Sequence, residues 1–274
     1  MKPSTTLALV SLVSSLSLIP IFSSATGTAG GNTGVTAQNP EQRGLEIARK
    51  IRAARVGFKG EKAGMELVLV NTNGDQVTRR LASQIMEVTD DGDRSIVTFE
   101  WPADVRDTRL LTWTHRQNSD DQWLYMPSIK RVKRISSNTK SGSFMGSEFA
   151  YEDMGSQEVE KYSYKYLREE ALGNRPTWVI ERYPVDENSG YSKQIVWYDK
   201  QYMNPLRVEY FDRKGELLKT ATFDNYNNFE QWWRAGRIRM ENIQTGKASV
   251  MTWKDRRLGQ APDPQHFLRE GLEE

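Results

Sequence analysis

The sequence predicts a mainly β fold: one antiparallel, meander-like sheet of about ten strands that curls around an interior. Three observations carry this. Short runs of β-branched and aromatic residues alternate with a period of two along most of the chain. Turn-forming pairs such as Asn73-Gly74 and Lys214-Gly215 fall between the runs. The spacing suits hairpins and leaves no room for crossover helices, so neighbouring strands pair antiparallel.

The first residues read as a targeting signal. Lys2 supplies one positive charge, Leu7 to Phe22 is apolar and uncharged, and Ser23-Ser24-Ala25 offers a small-residue cleavage step. A secretory signal peptide is expected over 1–25, with Val35-Thr36-Ala37 as a later cleavage site. The apolar stretch is serine-rich and short of the ~20 residues a membrane span needs. Residues 26–41 are rich in Gly, Thr, Ala and Asn without apolar periodicity, which predicts a flexible leader. From 42 to 274 nothing resembles a linker, so a single β domain is expected there.

One helix is expected from Gln42 to Val56. Leu45, Ala48 and Ile51 form a stripe opposite Arg and Lys, Pro40 precedes it and Gly57 follows. The period then changes to two. Met65, Leu67 and Leu69 open the series, followed by Val97, Phe99 and Trp101, then Leu111, Trp113 and His115. Tyr162, Tyr164 and Tyr166 continue it, then Trp178 and Ile180, Ile195 and Trp197, Leu206, Val208 and Tyr210, and finally Ala248, Val250 and Thr252. Asp263 to Leu272 reads as a short helix docking on the rim. A sheet this large cannot stay flat, and a curled one encloses an interior that the early helix is placed to plug.

Several chemistries are excluded. The chain has no cysteine, so it has no lipobox, disulfide, thiol nucleophile or thiolate metal site. A formal charge of +2 exerts no global pull on nucleic acid. His115 and His266 are the only histidines and are not at metal-ligand spacing; a structural role is expected for both, and no metal or cofactor. No nucleophile elbow, phosphate loop or dinucleotide turn is present. Asp90 to Asp93 reads as a solvated turn more readily than as a calcium loop. Glu152-Asp153 and Glu169-Glu170 are adjacent pairs, which on a strand point to opposite faces.

Two positive features stand out. Eight Trp, eleven Tyr and nine Phe exceed what one packed sheet face requires. Asp120 to Asp153 combines the cations Lys130, Arg131, Lys133 and Arg134 with Phe144 and Met145 between glycines. That segment is either a gate with exposed apolar tips or a basic strand followed by a long surface loop.

The pieces RSIVTFEWPADV, LLTW, DQWLYMPSIKRVKRI and SGSFMGSEFAYED, between Arg94 and Asp153, closely resemble the LolA-like outer-membrane lipoprotein-sorting family. The resemblance implies an incomplete, unclosed antiparallel β-barrel with helices as plug or lid over an apolar cavity. It implies a non-enzymatic periplasmic carrier that binds acyl chains of a lipid or lipoprotein and moves them between envelope components. An RND-type inner-membrane transporter or an outer-membrane acceptor is the implied partner. On this reading Trp101, Leu111, Trp113, Trp123, Tyr125, Phe144, Met145 and Phe149 line the cavity. Lys130, Arg131, Lys133 and Arg134 meet headgroups or the partner. Two rivals are a non-carrying adaptor of an exporter, which predicts a filled interior, and an esterase or glycosidase with a non-standard site.

Overall fold

The computed structural model describes residues 39–273, which fall in one compact unit. The expected signal segment 1–25 and its later cleavage site lie outside the described residues, as does most of the leader. The last leader residues are already structured. Asn39 caps a helix α1 (Pro40–Ala53), its side chain accepting from the Glu41 N–H at 2.8 Å, and proline occupies the first turn. The helix therefore starts two residues before the expected Gln42 and ends three before Val56. Its buried face is Gly44, Ile47, Ala48 and Ile51. Gly44 permits a close approach, because a Cβ there would stand 2.9 Å from the backbone N of Tyr166.

A meander forms β1 (Gly60–Val70), β2 (Gln76–Met86), β3 (Arg94–Trp101), β4 (Arg109–Trp113), β5 (Asp121–Met126) and β6 (Arg131–Ile135). After a long crossover, a second meander forms β7 (Tyr162–Leu172), β8 (Arg175–Pro184), β9 (Tyr191–Asp199), β10 (Pro205–Asp212) and β11 (Leu217–Asp224). A small hairpin of β12 (Asn227–Phe229) and β13 (Trp232–Arg234) precedes β14 (Arg237–Asn242) and β15 (Ala248–Leu258). Thirteen strands make one antiparallel sheet in the order β6-β5-β4-β3-β2-β1-β15-β14-β11-β10-β9-β8-β7. The first strand and the last are thus neighbours at the centre, and the chain's middle strands are the two edges.

The sheet is antiparallel and unclosed, as expected, with thirteen strands in place of about ten, and among the described residues there is one α-helix where helices were expected. The strand missed most plainly is β2. Its Arg79-Arg80 and scattered polar residues hide the alternation, yet eleven consecutive residue pairs join it to β1. Cross-strand pairing there overrides weak local preference.

The crossover, residues 136–161, runs across the concave face between the two edges as a series of short 3-10 turns. Its first part, residues 136–143, lies mostly at the surface after the exposed basic strand, but the apolar tips are not exposed: Phe144 has 0% exposure and Met145 packs against the core. The plug expected of α1 is thus provided largely by this segment. The C-terminal residues form two 3-10 turns, Pro264–Phe267 and Glu270–Leu272, in place of one short helix. Phe267 and Leu272 seat on the outer face of the sheet over Leu111 and Trp123.

Candidate functional site

The concave face differs on the two sides of β1. Under β1–β6, Leu67, Leu81, Val97, Phe99, Leu110 and Leu124 are buried, and Phe144 drives in between them. The Phe144 ring lies 5.7 Å from Phe99 and 5.8 Å from Tyr151, so the crossover fills this side with aromatic contacts.

Under β8–β11, β14 and β15 the interior is hollow. A cavity of about 290 Å³ is lined by Phe149, Val208, Tyr210, Phe223, Met240 and Trp253 among others. A second, of about 190 Å³, lies beneath α1 at Ala48 and Ile51. The two share lining residues, including Arg55, Glu61, Arg182, Tyr198 and Arg234.

Charged groups fix the walls. Glu61 stands between Arg234 at 3.2 Å and Arg256 at 2.9 Å. Burial lowers the Arg234 guanidinium to about 10, where it still carries its proton at neutral pH. Asp153 pairs with Lys219 at 2.8 Å and accepts the Tyr191 hydroxyl at 2.9 Å, which pins the crossover to β9 and β11. Burial, reinforced by the Asp153 charge, holds the Tyr191 and Tyr210 phenols well above their ordinary range, so both stay neutral. Glu158 reaches Arg52 at 3.2 Å and ties the crossover to α1. Burial pushes the Asp93 carboxyl up to about 6 at the margin of the smaller cavity. His115 bridges Asp91 at 2.6 Å and Asp121 at 3.3 Å. Its burial opposes the charge, but these two carboxylates outweigh it and raise the imidazole above its usual value. Among the described residues no group of three or more acidic or imidazole side chains could hold a metal.

The residues singled out from sequence do not form one lining. Phe149 lines the larger cavity, and Phe144 and Met145 belong to the packed side of the interior. Leu111, Trp113, Trp123 and Tyr125 project from the opposite face, where the C-terminal turns cover them. The Trp113 Nε1–H donates to the Phe267 carbonyl at 2.8 Å. Trp101 is exposed at the end of β3, with Arg80 over its ring. Their inward-facing neighbours are Leu110, Thr112, Gln122 and Leu124. A one-residue shift along a strand exchanges the two faces. Lys130, Arg131, Lys133 and Arg134 are exposed on or beside the edge strand β6, with Arg134 paired to Asp121. Lysines on an edge strand also discourage pairing with other chains. Most of the hollow's lining was missed, although the alternation of Val208-Glu209-Tyr210 carried the signal.

A family model described as "uncharacterized protein" matches residues 91–274. No curated protein matches at a significant level. Among solved structures, a domain assigned to outer-membrane lipoprotein sorting from Vibrio parahaemolyticus is 44% identical, with a TM-score of 0.84 over 85% of this chain and 100% of its own. A DUF1329-family protein from Desulfovibrio piger is 27% identical, with a TM-score of 0.82 over 85% of this chain and 99% of its own. A LolA-superfamily protein from Nitrosomonas europaea, at 24% identity, shares the fold with a TM-score of 0.66 over 83% of this chain and 98% of its own. An unclosed β-sheet around a partly hollow interior is the fold shared with the LolA-superfamily structure, and the level of identity to the Vibrio domain decides the family: the chain belongs to the outer-membrane lipoprotein-sorting proteins.

Proposed function

We propose that the chain is an exported periplasmic carrier, and not an enzyme, that takes up acyl chains of a lipid or lipoprotein in the hollow under β8–β11, β14 and β15. The single observation that carries this is the hollow itself, lined by Phe149, Val208, Met240 and Trp253 within a sheet that does not close. Each buried methylene contributes about 0.8 kcal/mol relative to water, and a membrane offers the same burial. Transfer between carrier and membrane is therefore nearly balanced, which suits reversible loading. The cations of the β6 edge are proposed to meet anionic headgroups or a partner, an RND-type inner-membrane transporter or an outer-membrane acceptor. No helix among the described residues is long and apolar enough to cross a membrane.

Native mass spectrometry and lipid extraction of the full chain from a bacterial host test the proposal. A carrier should arrive with lipid bound and should take fluorescent acyl chains from vesicles. Protein that carries no lipid and extracts none would leave the adaptor reading in its place.

A further inference from the structure

Arg182, in β8, is buried to 5% exposure and lines both cavities. Its direction follows from register. Tyr164, Arg182, Gln194 and Tyr210 stand opposite one another across β7–β10 and so project to the same face. Of the other cations that line the hollow, Arg234 and Arg256 are matched by Glu61. Arg182 makes no ion pair among the described residues. Its Nε donates to Gln194 Oε1 at 2.7 Å, its Nη1 to the Tyr198 hydroxyl at 3.3 Å, and the Tyr162 ring centroid lies 4.4 Å away. Its Nη2 makes no hydrogen bond among the described residues. Arg55, half-buried, lines the same two cavities and also makes no ion pair among the described residues.

A guanidinium cannot shed its proton, and a buried charge is costly unless it is paired. Neutral oxygens and a ring face compensate it only in part. A planar fork with free N–H groups suits a carboxylate or phosphate. Apolar side chains, Val208, Phe223, Met240 and Trp253, line another part of the wall. The larger cavity, about 290 Å³, lies just below the roughly 300–1,000 Å³ typical of ligand sites, which favours one chain over several.

The structure assigns this hollow to a single-chain anionic amphiphile, its carboxylate or phosphate head paired with Arg182 and its tail against Val208, Met240 and Trp253. The assignment rests on the carrier reading and adds a polarity to it: the charged end goes in, and does not stay at the surface. Calorimetry on the delipidated full chain tests it, with oleate, oleoyl lysophosphatidate and oleyl alcohol, which share a tail length. At least one anion should bind roughly tenfold or more tighter than the alcohol. Which of the two does so separates a free fatty acid from a phospholipid source. Arg182→Met should bring that anion down to the alcohol's affinity and leave the alcohol unchanged. Equal affinities of the wild type for all three would overturn the assignment while keeping the carrier. Binding of none would remove the carrier and the assignment together. The wild-type comparison decides even where the variant fails to fold.

Discussion

The two sides of the concave face are built from the same antiparallel strands and end differently. Under β1–β6 aliphatic side chains and Phe99 leave a groove that the chain's own Phe144 fills. Under β8–β15 tyrosines, arginines and Gln194 hold one another at the wall, and the space between them stays open. The difference teaches that a curved sheet does not decide by itself whether it encloses a core or a cavity. Compact aliphatic side chains interdigitate, whereas polar-tipped ones must keep the geometry of their hydrogen bonds and cannot collapse inward.

The contrast should show most strongly at Phe144. Phe144→Ala removes a fully buried ring from the filled side and is expected to cost about 3–5 kcal/mol, read as a lower urea midpoint at unchanged slope. A loss under about 1 kcal/mol would mean that the filled side is as open as the other. Lys219→Met tests the tie between the crossover and the hollow side. It strands Asp153 without its cation and should destabilise by about 3–5 kcal/mol, most of it recovered in the double variant with Asp153→Leu.

Asp93 probes the margin of the smaller cavity by pH. Its folded pKa, about 6, lies above the ordinary carboxylate value of 3.8. The protonated form is thus favoured on folding: its contribution is complete below about 3.8 and is lost as pH rises through about 6. Asp93→Asn should therefore flatten the stability profile between pH 4 and 7 and gain up to about 3 kcal/mol above that window. An unchanged slope in thermal melts across that window would show that Asp93 is not the group responsible.

The smallest stability effect is expected within the hollow. Val208→Trp should cost under about 1 kcal/mol, because the new ring enters existing space, whereas a filled core loses about 1–3 kcal/mol to such enlargement. The same variant should abolish acyl-chain uptake from vesicles. Trp123→Leu, on the outer face, should leave uptake unchanged; an equal loss in both variants would erase the functional distinction between the two faces.

Much of the architecture was legible because it is local. The stripe of Ala48 and Ile51 named α1, and the alternation of Tyr162, Tyr164 and Tyr166 named β7, each from spacing alone. Of the residues singled out from sequence, Phe149 is the one that lines the larger cavity. Leu111, Trp113, Trp123 and Tyr125 satisfy the same period of two as Leu110 and Leu124, and periodicity cannot say which set faces in.

By itself, the amino-acid sequence determined that the protein is an antiparallel β structure with one N-terminal helix, no thiol chemistry and the family motifs between Arg94 and Asp153. Tertiary structure alone decided that the C-terminal turns cover the outer face, that the segment of residues 136–161 packs Phe144 against the inner face of the sheet, and that the hollow lies under β8–β15 with Arg182 at its wall. The physical reason is that alternation and turn chemistry act between near neighbours. Which face is buried depends on segments a hundred or more residues apart, as Trp113 and Phe267 are, and these meet only once the chain has folded.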